Sequence, residues 1–228
     1  MATLQSSKKA MRKAVSSILR SLSNADIQAQ SHAVTNHVLS SPWFQRCRTV
    51  SCYLSMPTGE LDTSSLIAAI MQSGKTLYVP RIDVTVDGRM DFVKTFGEDD
   101  IRSFPSGLWG IKEPTADWNG SPRPSALETS DEPLDLILMP GVVFDHSLSR
   151  LGHGKGYYDR FITNYTSSHR GQKPLLVALA LREQILEAGK VPVGEHDWKV
   201  DVIIGPEGVV PGGKSGPLSS QRLDNCQS

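Results

Sequence analysis

The chain has 228 residues, 24 Lys+Arg against 24 Asp+Glu, 39% hydrophobic residues, 19 Gly and 14 Pro. That length allows a sizeable core in one large domain or two small ones, and a formal charge of zero speaks against a general nucleic-acid binder, whose affinity comes from a basic surface. No apolar run approaches the roughly 20 residues that span a bilayer; Cys47, Cys52 and Cys226 are too few and scattered for a disulfide scaffold or zinc cluster and read as reduced thiols of an intracellular protein.

The first predicted element is a basic helix. Met11, Val15, Ile18, Leu19 and Leu22 make one apolar face at 100° per residue, and no acidic residue precedes Asp26. Lys9, Lys13 and Arg20 fall opposite that face. Lys8 and Arg12, four apart, share one flank of it, where they could reach an anion beside the core. Such a start is compatible with a solvated helix face, a ligand-binding helix or a mitochondrial transit peptide. Ser23-Asn-Ala-Asp26 resembles a capping box and opens a second helix through Leu39, stopping before Pro42.

Thr49 to Leu54, β-branched and aromatic, is a strand. After the turn chemistry of Met56-Pro-Thr-Gly-Glu60, Asp62 or Thr63 caps a helix ending at Gly74, and Thr76 to Val79 is a second strand closed by Pro80. Strand, helix and strand within about thirty residues are the signature of a parallel βαβ unit. Asp91 to Lys94 is a shorter strand after the Asp87-Gly88 turn. Gly110 to Pro133, with four prolines and little apolar periodicity, reads as a surface excursion inclined to disorder. Leu134 to Met139 is a central strand covered on both faces, and a long polar connection follows from Pro140 to Gly156. A helix runs through Tyr157, Phe161, Ile162 and Tyr165. Leu175 to Leu181 is a buried strand, Arg182 to Ala188 a helix, and Val200 to Ile204 the last strand before a Gly/Pro/Ser-rich tail over 205–228, expected to be mobile. The alternation predicts one α/β domain over 1–204, three-layered, with a mostly parallel, Rossmann-like sheet.

In open α/β sheets ligands sit beyond the carboxyl ends of the strands. The connection after Leu54 offers Glu60, either a functional carboxylate or an ordinary loop acid. Arg150-Leu-Gly-His-Gly-Lys-Gly-Tyr-Tyr-Asp159 is more informative. Gly152, Gly154 and Gly156 permit backbone N–H groups to converge on an anion, a helix N-terminus follows, and Arg150, His153 and Lys155 interleave the glycines. This describes a phosphate cradle. Its spacing is neither that of a Walker A loop, since Gly156 stands where Ser or Thr should follow Lys155, nor the dinucleotide G-x-G-x-x-G. Asp159, in the first turn of the helix, is either a helix-dipole acid or a Mg²⁺ ligand. Asp197 is the second candidate ligand, and Asp201, which begins a strand, suits the role less. Tyr157 and Tyr158 are adjacent and cannot face the same way, so one should be core and the other should border a ligand.

Lys8-Lys-Ala-Met-Arg12, Tyr53-Leu-Ser-Met56 with Glu60, Pro80-Arg81, Trp109-Gly-Ile-Lys-Glu-Pro114, Met139-Pro-Gly-Val-Val-Phe-Asp145 and the Arg150–Asp159 run together resemble, in order, the motifs of the 5-formyltetrahydrofolate cyclo-ligases, also called methenyltetrahydrofolate synthetases. The resemblance runs from Lys8 to about Ile204. It implies a three-layer α/β enzyme that uses ATP and Mg²⁺ to convert 5-formyltetrahydrofolate into 5,10-methenyltetrahydrofolate, releasing ADP and phosphate. It implies ATP binding by Lys8, Lys9, Arg12, Arg150, Leu151, Gly152, His153, Gly154, Lys155, Gly156, Tyr157 and Tyr158. It implies folate binding by Leu54, Glu60, Trp109, His153, Gly154, Lys155, Gly156 and Tyr157, metal binding by Asp159 and Asp197, and catalysis by Lys155 and Arg150. His153 stands where the family motif carries Arg or Tyr, and the Met56–Glu60 loop is one residue longer than usual. A sugar-phosphate isomerase using the glycine run without ATP, and a nucleotide-binding module without turnover, are the competing classes. The expected setting is a monomer in the cytoplasm acting on small molecules, with neither nucleic acid nor membrane as partner, because a cleaved leader would remove Lys8 and Arg12.

Overall fold

The computed structural model describes residues 3–83, 89–107, 110–128, 132–169 and 171–212. Trp109, Cys226, the Asp87-Gly88 turn and most of the expected tail lie outside these residues. In chain order the elements are α1 (Leu4–Ser21), α2 (Asn24–Ser40), α3 (Pro42–Arg46), β1 (Thr49–Cys52), α4 (Ser64–Gln72), β2 (Thr76–Asp83), β3 (Arg89–Lys94), α5 (Glu98–Ser103), β4 (Asp117–Trp118) and β5 (Ser121–Pro122). There follow β6 (Leu136–Met139), β7 (Val143–Asp145), β8 (Arg150–Leu151), α6 (Tyr157–Ser168), β9 (Leu175–Leu179), β10 (Ile185–Leu186), β11 (Val202–Gly205) and β12 (Gly208–Val209).

The main sheet has seven strands in the order β12-β11-β9-β6-β1-β2-β3, parallel except at its two antiparallel edges, β12 and β3. Alternate strand residues enter two separate cores. Val50, Cys52, Leu136, Leu138, Val177 and Leu179 join Val15 and Leu19 of α1, Val34 and Val38 of α2 and Leu66 and Ile70 of α4 on one face. Tyr78, Ile137, Met139, Leu176 and Ala178 join Phe161, Ile162 and Tyr165 of α6 on the other. Period two in the strands thus produces the three layers. From β1 the chain steps to β2 through α4, then returns to the opposite side of β1 at β6 and proceeds outward through β9 and β11. This reversal opens a crevice at the carboxyl ends of β1 and β6, where ligands bind in such sheets.

Four expectations change. Pro80 does not close the second strand, which continues to Asp83. Phe92 opposite it sends its carbonyl to Ala126 N (2.8 Å), so Pro80 and Phe92 form a non-hydrogen-bonded pair. The proline nitrogen therefore faces the edge of β2 beyond its pairing with β1, where no ladder bond is lost. The connection from Pro140 to Gly156 holds the buried hairpin β7–β8 rather than only polar loop, and β10 joins it in parallel. Arg182 to Ala188 is not a helix but a single 3-10 turn, Arg182–Gln184, followed by β10. The reason is Gln184, whose side chain accepts from Leu181 N (2.8 Å) and donates to Gly141 O (2.6 Å), fixing the turn after one cycle. Structure also passes the expected domain edge at Ile204, since Gly205 completes β11 and β12 follows.

The excursion after Gly110 is anchored as well. Arg123, fully buried, forms two bonds with the equally buried Asp100 of α5 (2.5 and 2.7 Å) and donates to Lys94 O and Thr115 O, with the rings of Phe96, Phe104 and Trp118 around it. On α1, Ile18 sits at the edge of the apolar stripe and remains half exposed.

Candidate active site

The crevice is a cleft of about 230 Å³ with two unlike ends. At one end stand Lys8 and Arg12 of α1, the glycine run from Arg150 to Asp159, and Asp197. At the other are Tyr53, Leu54, Met56 and Glu60 after β1, Pro80 and Ile82 of β2, Met90 of β3, and Ile111 and Glu113 of the excursion.

The cationic end is assembled by short-range rules and closed by long-range contacts. Thr3 caps α1 by accepting from Ser6 N, and the helical period then places Lys8 and Arg12 on one flank. Lys8 Nζ forms a short ion pair with Asp197 Oδ2, which also accepts Gly194 N (2.6 Å). Burial alone would raise the Asp197 pKa, but these two donors outweigh it and hold the carboxyl below its ordinary value. Arg12 donates from Nε to Gly152 O (2.7 Å), and burial lowers its pKa against the opposing pull of Asp197. Gly154 has φ +102°, and a Cβ there would meet the Arg12 guanidinium at 3.2 Å, so only glycine lets the run pass beneath that side chain. Gly156, at φ +65°, is the left-handed N-cap from which α6 departs.

Arg150 is a held cation. Its side chain is 4% exposed, donates to Pro140 O (3.3 Å) and Asp159 Oδ2 (2.9 Å), lies 5.5 Å from the Tyr158 ring, and has no partner for Nε among the described residues. Lys155 is exposed at the rim, and its backbone carbonyl accepts from Arg160. His153, 42% exposed, brings Nε2 to 3.9 Å from Glu60 Oε1, and Glu60 Oε2 accepts Met56 N (2.8 Å) in a buried setting. Tyr53 and Tyr158 have hydroxyl pKa values pushed well up by burial, with the Glu60 charge adding to it.

Asp159 accepts Trp198 N on Oδ1 (3.0 Å) and Arg150 on Oδ2; Asp197 carries both its donors on Oδ2, leaving Oδ1 without a partner among the described residues. Among those residues no group of three or more His, Cys, Asp or Glu could hold an ion by itself. Mg²⁺ normally takes only one or two protein carboxylates and completes its shell with phosphate and water. The two aspartates therefore fit a Mg²⁺ shared with a bound phosphate, and not an all-protein metal cage.

Residues 4–206 match the 5-formyltetrahydrofolate cyclo-ligase family. The chain belongs to that family. A 5-formyltetrahydrofolate cyclo-ligase of Mus musculus is 36% identical over 202 residues, covering 89% of this chain and 95% of its own. A mitochondrial one of Arabidopsis thaliana is 34% identical over 214 residues, covering 90% and 76%. The NMR structure of the Aquifex aeolicus 5,10-methenyltetrahydrofolate synthetase superposes with a TM-score of 0.69 at 27% identity, covering 92% of this chain and 94% of that one. Membership makes this chain a cyclo-ligase and sets aside the isomerase and passive-binder classes. No helix among the described residues is long and apolar enough to cross a membrane.

Of the residues expected at this cyclo-ligase site, Lys8, Arg12, Leu54, Glu60, Arg150 to Asp159 and Asp197 all line one cleft. Lys9 does not: one residue turns the helix by 100°, and it points to solvent. Trp109 lies outside the described residues. Tyr157 and Tyr158 divide otherwise than expected, since both line the cleft while both pack on the α6-side core. Asp201 is occupied with Lys173 (2.8 Å) and Leu176 N (2.9 Å), away from the cleft. Sequence reasoning missed Tyr53, Ile82, Met90, Ile111, Glu113 and Pro140. Tyr53, Ile111, Glu113 and Pro140 lie within the Tyr53–Met56, Trp109–Pro114 and Met139–Asp145 motifs, but no periodicity marks which residues of such motifs turn inward, and Ile82 and Met90 lie in none of them.

Proposed function

We propose that this chain converts 5-formyltetrahydrofolate into 5,10-methenyltetrahydrofolate with ATP as second substrate, in a monomer located in the cytosol. The observation that carries the reading is the mixed lining of the cleft: a cation-rich glycine run and helix, an apolar wall, and the buried Glu60 carboxylate beside His153 of the run. A polyphosphate fits the cation-rich part and a flat heterocycle with N–H donors fits the apolar wall and the carboxylate, which brings the γ-phosphate and the formyl group together between them.

In this reading the N5-formyl oxygen attacks the γ-phosphorus, forming a new O–P bond as the bond to the ADP oxygen breaks. Lys8 and Arg12 hold the polyphosphate. Lys155 and the N–H groups of Gly154 and Gly156 stabilise the negative charge that develops on the transferring group. Arg150, held by Pro140 O and Asp159, contributes a fixed positive field rather than a mobile side chain. A Mg²⁺ on Asp159 and Asp197 would supply neutralisation of phosphate charge. The phosphorylated formyl carbon is then attacked by N10 of the same molecule; a C–N bond forms, the C–O bond breaks with loss of phosphate, and the N10 proton passes to solvent. Holding N10 against that carbon makes ring closure intramolecular, which can contribute about 7–11 kcal/mol of the barrier reduction. Lys8 and Arg12 line the cleft, so losing the basic helix would remove half of the cationic end.

The test is near-UV absorbance of the methenyl product. The signal should rise only with protein, 5-formyltetrahydrofolate, ATP and Mg²⁺ together, with ADP formed in equal amount; product without ATP, or none in the full mixture, overturns the reading.

A further inference from the structure

Glu113 lines the cleft from the excursion, and no hydrogen bond or ion pair of its carboxylate among the described residues accounts for it. The stem that carries it is well fixed. Glu113 N donates to Pro105 O (3.0 Å), Gly107 N to Ile111 O (2.7 Å), and Ser106 bridges Lys112. Glu113 is half-buried, yet its carboxylate accepts no hydrogen bond and makes no ion pair among the described residues. It also has a dedicated bed: a Cβ at Gly107 would lie 2.5 Å from Glu113 Cδ and 2.8 Å from Oε1, so the side chain occupies the room that a missing side chain leaves. Pro80, Ile82, Met90 and Ile111 line the same cleft. A carboxylate that lines a cleft and has no donor among the described residues leaves its oxygens free to accept from a ligand. A ligand suited to it brings N–H donors and lies against the apolar residues that share the cleft. A phosphate is excluded there by like charge.

We propose that Glu113 is a specificity-determining contact for 5-formyltetrahydrofolate, accepting a hydrogen bond from an N–H group of the reduced pterin ring, a role that rests on the function proposed above. Three variants of the full chain separate its parts. Glu113→Met keeps the bulk and removes the acceptor, Glu113→Gln keeps an acceptor oxygen, and Gly107→Ala leaves the carboxylate intact but displaces it. By titration calorimetry, E113M and G107A should each bind 5-formyltetrahydrofolate about tenfold to a hundredfold more weakly, the loss expected for one hydrogen bond to a charged group. E113Q, which keeps a neutral acceptor, should fall between the parent and E113M, and all three should bind a non-hydrolysable ATP analogue with Mg²⁺ as the parent does. In turnover the loss should fall on KM for the folate with kcat kept. Combining G107A with E113M should add nothing to E113M alone, because both act on the same oxygen. Unchanged folate binding by E113M overturns the proposal, as does parallel loss of folate binding, ATP binding and thermal midpoint, which marks a structural role. Failure of the parent itself to bind 5-formyltetrahydrofolate overturns the functional reading and the proposal with it.

Discussion

Arg150 and Lys155 belong to the same glycine run and carry the same charge, but their surroundings give them different work. Arg150 is buried and bonded to Asp159 and Pro140 O, whereas the Lys155 side chain stands at the rim with no bond among the described residues. Lys155→Ala should therefore lower kcat by about 10²–10³ with the urea midpoint unchanged, while Arg150→Met should cost about 3–5 kcal/mol of stability as well, because Asp159 is left without its counter-charge. Equal destabilisation by the two, measured by urea unfolding, would contradict this division. Asp197 sets a pH dependence. Its folded pKa lies below the unfolded value, so its contribution is present above the ordinary carboxylate pKa near 4 and is lost as pH falls through the folded pKa. The parent should melt above Asp197→Asn at pH 7, and the gap should close on acidification below about pH 4; a gap independent of pH would show that the charge on Asp197 is not what matters. Lys8 and Arg12 could be read from the sequence because helical periodicity places them. The pairing of Lys8 with Asp197, 189 residues away, could not, because only the assembled sheet brings α1 over the last loop.

Elements that a periodic pattern encodes were legible, and elements that one side chain organises were not. The βαβ unit, the β6 strand and α6 announce themselves by apolar spacing. The excursion has no such spacing, and its order comes from Arg123, which ties Asp100, Lys94 and Thr115 together inside an aromatic cage. Gln184 likewise replaces a predicted helix with a turn and a strand. Arg123→Met should cost about 3–5 kcal/mol in urea unfolding, since it strands Asp100 in a fully buried place, and adding Asp100→Leu should recover most of the loss. Because the same segment presents Ile111 and Glu113 to the cleft, the double variant, though folded, should still bind 5-formyltetrahydrofolate more weakly than the parent. Parent-like affinity in that variant would show that the excursion finds its place without the buried pair.

At the scale of the whole molecule, the cleft is a junction of pieces distant in sequence: α1, the loop after β1, the excursion, the glycine run and the loop at Asp197. The chain reversal between β1 and β6 puts the crevice there, and α1 closes its cationic end with two polar contacts, Lys8 to Asp197 and Arg12 to Gly152 O, backed by Val15 and Leu19 in the core. A ligand that spans the junction adds contacts to pieces which otherwise hold each other by few bonds, and it stabilises the folded chain by mass action. At one hundred times its Kd, ATP with Mg²⁺ should contribute about 2.7 kcal/mol, a rise of roughly 5–10 °C in thermal midpoint for a chain of this size. The double change Lys8→Ala and Arg12→Ala should shrink that rise to less than half at the same ATP concentration while leaving the rise caused by 5-formyltetrahydrofolate intact, because α1 meets the cleft at its cationic end. A folate-induced rise that fell along with the ATP one would mean that α1 shapes the whole cleft rather than one end of it, and the two ends would then have to be treated as a single site.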